Sequence, residues 1–314
     1  MEPQSMSVDI QTAEGSHNAQ QQPSAPIYPA WDTWGEIADA SQADLNLCWN
    51  CGTCDNGCPV NLASGRLSPQ RLVRMAVYGM MDELLSSPAL WYCLSCRRCF
   101  QGCPNRVKPY ELIKYLQAES LRRERISKEF LNDYWKLISD FQRVRWRAAA
   151  HCFNDRLIHL PDPTWYRWLR RPIRKTVYRS VKLGRPPSAL KAHHDPAIQR
   201  GRACFTCSEC SGCCPITCDG GVFDPQRIIR MANLGLVDEL LTSPAIWLCL
   251  GCQLCSEACT QTVSGYTIIQ RLKQQAIEHH IVDRDFPIRL LEADRFIYPK
   301  LLDEIDNLIG LYRI

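Results

Sequence analysis

From residue 69 to 93 the chain reads PQRLVRMAVYGMMDELLSSPALWYC, and its apolar positions Leu72, Val73, Ala76, Val77 and Met80 recur at helical spacing. Ser68 is a good N-cap, and Pro69 suits the first helical position, where a missing N–H costs nothing. The Ser-Ser-Pro run stops the pattern, and Ser87-Pro88 opens a further short helix that delivers Trp91 and Tyr92 beside Cys93. The same order returns at residues 225–249, PQRIIRMANLGLVDELLTSPAIWLC, with Asp224 as cap, Pro225 at the start, Ile228, Ile229, Ala232 and Leu236 on the apolar face, and Ser243-Pro244 leading to Trp247. The two segments align without a gap at an offset of 156 residues, and Tyr110, Ile113 and Leu116 continue the match against Tyr266, Ile269 and Leu272. The chain therefore carries an internal duplication. No stretch combines sustained alternation with a hairpin turn, so strands are not expected. The predicted fold class is mainly α: a tandem duplicated α-helical domain joined by a basic-aromatic helical linker.

The predicted organisation is a disordered tail at 1–30, a first domain at 31–127, the linker at 128–196, a second domain at 197–281 and a C-terminal helical extension at 282–314. The tail is rich in Gln, Ser and Pro, with Trp31 and Trp34 placed to anchor its end. Residues 134–153, YWKLISDFQRVRWRAAAHCF, read as a helix, and TWYRWLRRPIRKTVYRSVKLGRPP adds a second basic-aromatic tract. Three roles stay open for them: a partner interface, a cover over the join between the repeats, and contact with an anionic membrane surface. Residues 286–314 read as helices with one apolar stripe, closing the second domain in preference to docking a partner.

Composition changes the picture in one respect. At 314 residues and average apolar and charged fractions the chain can form two modest domains, but it contains 19 cysteines. The N-terminal residues lack a basic region followed by an apolar one, so a reducing cytoplasmic location is expected, possible membrane association arising through partners. No segment reaches eighteen uninterrupted apolar residues. Formal net charge is +4, unevenly spread: residues 122–191 hold 18 Lys and Arg against 6 Asp and Glu. The basic charge belongs to the linker, and no nucleic-acid partner is expected from it.

The duplication also sorts the cysteines. Cys48, Cys51, Cys54 and Cys58 precede Pro59, and Cys93, Cys96, Cys99 and Cys103 precede Pro104. Cys204, Cys207, Cys210 and Cys214 precede Pro215, and Cys249, Cys252, Cys255 and Cys259 complete the second copy. Two thiolates of a CxxC loop converge on one centre, a third cysteine supplies another corner, and the fourth, before proline, points elsewhere. In two-cluster ferredoxins that fourth cysteine binds the other cubane. The pattern predicts four [4Fe-4S] clusters with crossed ligation: Cys48, Cys51, Cys54 and Cys103; Cys93, Cys96, Cys99 and Cys58; Cys204, Cys207, Cys210 and Cys259; and Cys249, Cys252, Cys255 and Cys214. Structural zinc in all-thiolate sites, or inert thiols and disulfides, are the alternatives. Cys213 lies opposite Gly57 and Cys218 opposite Leu62, so both read as local additions, the alternatives being Cys213 as ligand in place of Cys214, or a role of the pair unique to the second half; Cys152 reads as a packing thiol. His193-His194 and His279-His280 read as solvated pairs, and Trp91 and Trp247 as packing in preference to control of solvent access to a cluster.

The 35 positions between one motif and the next look helical, unlike a compact β-containing ferredoxin. With that spacing, residues 48–103 and 204–259 closely resemble the iron-sulfur C subunit of heterodisulfide reductase, an α-helical ferredoxin. The resemblance implies an electron-relay subunit between a flavin-containing partner and a heterodisulfide reductase B-like subunit, in a cytoplasmic complex. Two departures stand out. The family protein usually has one such domain where this chain has two, and Thr260 replaces the proline expected after Cys259.

Four-thiolate clusters leave no open ligand position and so suit electron transfer better than Lewis-acid chemistry. There is no GxGxxG after a strand, no Walker loop, no HExxH and no serine nucleophile elbow. The expected function is a non-catalytic electron-transfer subunit of an oxidoreductase complex; the alternative is an iron-sulfur subunit that contributes to a catalytic or quinone-reactive site of a membrane-associated oxidoreductase.

Overall fold

The computed structural model describes residues 29–153, 162–173, 195–217 and 222–313. The expected tail up to residue 28, Cys218, His193 and His194, and the second basic tract beyond residue 173 lie outside them. In the first half, α1 (Trp31–Ser41) leads through a 3-10 turn at Leu45–Leu47 to α2 (Thr53–Gly57), α3 (Pro59–Ser64), α4 (Pro69–Val77) and α5 (Met81–Ser86). A second 3-10 turn, Pro88–Tyr92, precedes α6 (Arg98–Gln101) and α7 (Pro109–Arg122). Next come α8 (Phe130–Phe153), α9 (Asp162–Arg170) and α10 (Pro196–Gln199). The second half follows with a 3-10 turn at Arg200–Ala203, α11 (Glu209–Gly212), α12 (Pro225–Asn233), α13 (Val237–Leu241), a 3-10 turn at Pro244–Leu248, α14 (Leu254–Glu257), α15 (Gly265–Glu278) and α16 (Phe286–Tyr312). The fold is mainly α-helical. Among the described residues there is no β-sheet, only an isolated bridge between Ile126 and Arg313, and no helix is long and apolar enough to cross a membrane.

The caps are those the sequence predicts: Ser68 Oγ accepts from Arg71 N at 3.0 Å, and Asp224 Oδ1 from Gln226 N at 2.9 Å. One expectation needs correcting. The helix from Pro69 does not run on through Met80, because Gly79 at φ 67° and Gly235 at φ 77° adopt left-handed backbone and split each pattern into two helices. At Gly79 the chain also receives α1: Ala30 N donates to Tyr78 O at 3.0 Å. A Cβ on Gly79 would lie 2.2 Å from the Ala30 carbonyl oxygen, whereas one on Gly235 would meet nothing within 4 Å.

The two longest helices start at the same offset as everything else, Phe130 against Phe286. Trp91 packs on Phe130 with ring centroids 4.7 Å apart, and Trp247 on Phe286 at 4.6 Å. The repeat thus continues beyond 127 and 281, where sequence similarity has faded. These helices run antiparallel. Phe130 meets Tyr312 at 6.2 Å, Phe141 meets Tyr298 at 5.1 Å, and Phe153 meets Phe286 at 4.9 Å.

Each long helix begins on its own half and ends on the other. α8 packs against the Pro244–Leu248 turn, while α16 packs against α3 and the Pro88–Tyr92 turn. Arg66 pairs with Asp303 at 2.6 Å and with Asp306, which also accepts from Tyr92 Oη at 2.6 Å. Residues 286–312 are one helix, with Pro299 inside it, and it bridges to the first half as well as closing the second. Of the roles open to the basic-aromatic tract, its helix α8 takes the cover over the join; its apolar residues Phe141, Val144 and Ala148 are fully buried.

Gly79→Ala and Gly235→Ala separate the backbone cost from the clash. Both place a Cβ residue at positive φ, a loss of about 1–2 kcal/mol. Only Gly79→Ala must also push Ala30 away, so its thermal midpoint should fall further; equal falls would show that α1 yields at no cost.

Candidate metal centres

All four cysteine motifs are built by one local device. The first cysteine, Cys48, Cys93, Cys204 or Cys249, follows directly on a 3-10 turn. Both neighbours of the middle cysteine then take left-handed backbone: Asn50 and Gly52 around Cys51, Ser95 and Arg97 around Cys96, Thr206 and Ser208 around Cys207, and Gly251 and Gln253 around Cys252. Two of these eight are glycine; the other six carry strain of about 1–3 kcal/mol each, the kind found at ligand-holding loops. The third cysteine, Cys54, Cys99, Cys210 or Cys255, lies on a short helix, and the fourth follows that helix's end. Behind the fourth, Val107 N donates to Cys103 Sγ at 3.4 Å and Val263 N to Cys259 Sγ at 3.5 Å. Thr260, in place of proline, leaves this N–H to sulfur contact intact.

The fold gathers sulfurs from different motifs. Cys204, Cys207, Cys210 and Cys259 line one cavity, which Cys255 also touches. Burial pushes the Cys58 thiol up to about 12, with Cys96 and Cys93 close enough to add to the effect. Cys99 is raised by burial and then by Cys93, Cys96, Cys58 and Cys54. In the second half, burial raises Cys255, reinforced by Cys249, Cys252 and Cys214. Cys54 is pushed up to about 12 by burial and by Asp55, with Cys48 contributing. Cys51 is exposed; it shares a 3.3 Å hydrogen bond with Thr53 that lowers its pKa.

Among the described residues no three or more His, Cys, Asp or Glu side chains are gathered tightly enough to hold a single metal ion. A cubane is bound at four separate iron corners, so its thiolates ring a space and do not meet at a point. A cavity bordered by Cys204, Cys207, Cys210 and Cys259, with Cys255 also at its edge, fits that donor chemistry. Protons held on buried thiols would leave as the metal binds.

A carboxylate-hydroxyl pair ties the short helix of the first motif in each half to the helix behind it, and the duplicate has it reversed. Asp55 accepts from Ser68 Oγ at 2.6 Å and from Gln70 N at 2.8 Å. At the equivalent positions Ser211 Oγ donates to Asp224 Oδ1 at 2.6 Å. The acid sits on the loop helix in one half and at the cap in the other.

Outside the repeated motifs, Cys152 is buried, its sulfur 3.8 Å from the Arg289 carbonyl, as a packing thiol would be. Cys213 is half-buried with its sulfur 3.6 Å from the Cys210 carbonyl. Trp91 and Trp247 are buried in the aromatic packing described above. His279 and His280 are exposed at the end of α15.

Sequence reasoning missed the residues that join the halves. Gln101 Nε2 donates to the Cys252 carbonyl and, at 2.9 Å, to Glu257 Oε1. Arg97 Nη1 lies 3.4 Å from Glu257 Oε2. The thiols of Cys96 and Cys252 are close enough to interact electrostatically. Gln101 and Glu257 are equivalent positions, a self-matching pair that the offset alone offered as a signal.

Part of the chain matches known proteins. The 4Fe-4S dicluster domain family matches residues 44–107. The chain carries a ferredoxin-like 4Fe-4S dicluster domain. That domain is homologous to members of the family of heterodisulfide reductase C subunits. The C subunit of the H(2):CoB-CoM heterodisulfide,ferredoxin reductase of Methanothermobacter thermautotrophicus is 38% identical over 90 residues, 28% of this chain and 46% of that protein. A protein of Archaeoglobus profundus that is itself described as like the heterodisulfide reductase C subunit is 36% identical over 77 residues, 24% of this chain and 41% of its own length. The C subunit of the ferredoxin:CoB-CoM heterodisulfide reductase of Methanosarcina mazei is 30% identical over 88 residues, 28% of this chain and 53% of that protein. The chain spans about half the length of the curated relatives it matches.

Asp55→Ser removes the acceptor of Gln70 N and should cost about 1 kcal/mol, the size of a lost helix cap. The double variant Asp55→Ser with Ser68→Asp installs the second half's arrangement and should recover most of the loss in a thermal melt. A double variant as unstable as the sum of its singles would show the two arrangements are not interchangeable.

Proposed function

We propose that this chain is a non-catalytic electron-transfer subunit that binds four [4Fe-4S] clusters in two tandem α-helical ferredoxin domains, residues 31–127 and 197–281. The ligand sets are Cys48, Cys51, Cys54 and Cys103; Cys93, Cys96, Cys99 and Cys58; Cys204, Cys207, Cys210 and Cys259; and Cys249, Cys252, Cys255 and Cys214. The observation that carries this reading is that Cys259 borders the same cavity as Cys204, Cys207 and Cys210, from which it is separated by a whole motif in sequence. The proximity of Cys58 to Cys93, Cys96 and Cys99 supports the same crossing in the first half. Cys213 stays a spare thiol in this scheme.

When bound, such clusters supply one-electron redox chemistry with every ligand position filled. The chain's own residues then set the route. Cys96 and Cys252 face one another across the join, while Cys51 and Cys207 are exposed. The Cys48 and Cys204 sets are therefore the outer pair and the Cys58 and Cys214 sets the inner pair. Partners exchanging electrons with the chain would dock over Cys51 and Cys207. By analogy with the named relatives, those partners are a flavoprotein and a heterodisulfide reductase B-like subunit in a cytoplasmic complex.

Anaerobic metal and sulfide analysis with EPR during stepwise reduction tests the reading: four cubanes give about 16 iron atoms per chain. Stoichiometric zinc with little iron would defeat it. In the iron-loaded chain, Cys103→Ser should alter the signal of the cluster held by Cys48, Cys51 and Cys54. An effect confined to the Cys93 set would show that ligation is not crossed.

A further inference from the structure

Between the halves lies a cavity of about 550 Å³, bordered on one side by Pro59, Leu62 and Arg98 and on the other by Trp247, Cys249 and Lys273. Arg145 from α8 and Asp294 from α16 reach the same cavity. Arg145 is 6% exposed; its guanidinium donates to Gln142 Oε1 at 3.1 Å, but its Nε has no hydrogen-bond partner. A buried guanidinium without a counter-charge is costly, on the order of several kcal/mol. Among the described residues none of Arg98, Arg145 and Lys273 makes an ion pair. Asp294, its pKa pushed up to about 6 by burial, can offset at most one of the three charges. Two positive charges are left over, and the cysteine sets that face them are the inner pair. Lys273 Nζ donates to the carbonyl of Cys249, and Arg98 directly precedes Cys99.

The duplication shows that these cations are additions, not scaffold. Lys273 occupies the position of Gln117, Arg145 that of Leu301 and Arg98 that of Leu254. Equivalent carbonyls are satisfied by unlike groups: Cys93 O by the Tyr134 hydroxyl at 3.2 Å, Cys249 O by Lys273 Nζ at 3.3 Å. In the opposite half the fold works with a neutral group at each of these places.

We propose that Arg98, Arg145 and Lys273 form one counter-charge shared by the two inner cysteine sets, Cys58 with Cys93, Cys96 and Cys99, and Cys214 with Cys249, Cys252 and Cys255. Their role is to hold clusters bound there at more positive reduction potentials than those of the outer sets. Adding an electron adds negative charge, which fixed cations in a buried, low-dielectric setting favour. The three side chains act as positioning charges through the thiolates. The inference rests on the iron-sulfur reading above.

The test is a potentiometric EPR titration of the full iron-loaded chain carrying Lys273→Gln, which installs the residue of the first half, and Arg145→Leu, which installs that of the second. With iron and sulfide unchanged, two of four midpoints should shift downward and two should stay. Lys273→Arg, which keeps the charge, should leave all four in place. No shift, or an equal shift in all four, overturns the proposal. If Arg145→Leu does not fold, Lys273→Gln, a change at a half-buried site, decides the matter alone. A wild-type chain with little iron would instead defeat the iron-sulfur reading, before any midpoint is measured.

Discussion

The antiparallel contact between α8 and α16 is the constraint on which the rest of the molecule depends. Polar links across the halves are partly exposed: Arg97 with Glu257, Gln101 with the Cys252 carbonyl, and Arg66 and Tyr92 with the carboxylates of α16. An exposed ion pair contributes about 0–1 kcal/mol. Phe141 and Tyr298 are fully buried against one another, and burial of a large apolar side chain contributes about 1.5–3 kcal/mol. Packing therefore fixes how the halves meet, and the polar contacts set the register. Because each helix starts on its own half and ends on the other, neither half can shift without disturbing both. The distance between the Cys96 and Cys252 loops follows from that exchange.

The cysteine loops stand in the opposite energetic position. Six non-glycine residues beside the middle cysteines hold left-handed backbone, which an isolated loop would abandon. They persist because helices pin both sides. α4 packs on α7 in the first half and α12 on α15 in the second, and the Asp55-Ser68 and Ser211-Asp224 pairs fasten the loop helices to them. The helical framework thus tolerates the strain stored in the cysteine loops. That the acid and the hydroxyl have changed places between halves shows that the constraint is on the pair, not on either residue.

Much of this was legible in the sequence because it is local. Caps at Ser68 and Asp224, the turns before Cys93 and Cys249, and the apolar faces of α4 and α12 all follow from short-range rules. The duplication made the cysteine motifs readable, since Cys152, Cys213 and Cys218 have no cysteine counterpart and the other sixteen do. The split at Gly79 and Gly235 was legible in principle, but continuous apolar spacing outweighed a single glycine. What the sequence hid is long-range. The kinship of α8 with α16 survives in Phe130 and Phe286, but Arg145 opposite Leu301 and Tyr134 opposite Leu290 erase it elsewhere. Nothing local tells that Gln101 reaches Cys252, since their contact exists only after the long helices have packed.

A duplicated scaffold places equivalent groups around equivalent sites, so differences between the halves carry information that neither half holds alone. Where the difference is conservative, as in Leu72 against Ile228, it reports packing. Where a neutral residue is matched by a buried or half-buried cation, as in Leu301 against Arg145 or Gln117 against Lys273, packing cannot account for it, because burying charge opposes stability unless something negative lies close. Both of these cations, with Arg98, border one cavity where the halves meet, and none lies at the exposed Cys51 or Cys207 loops. These three differences in charge thus meet at one place in the molecule, although all four cysteine motifs are built by the same loop.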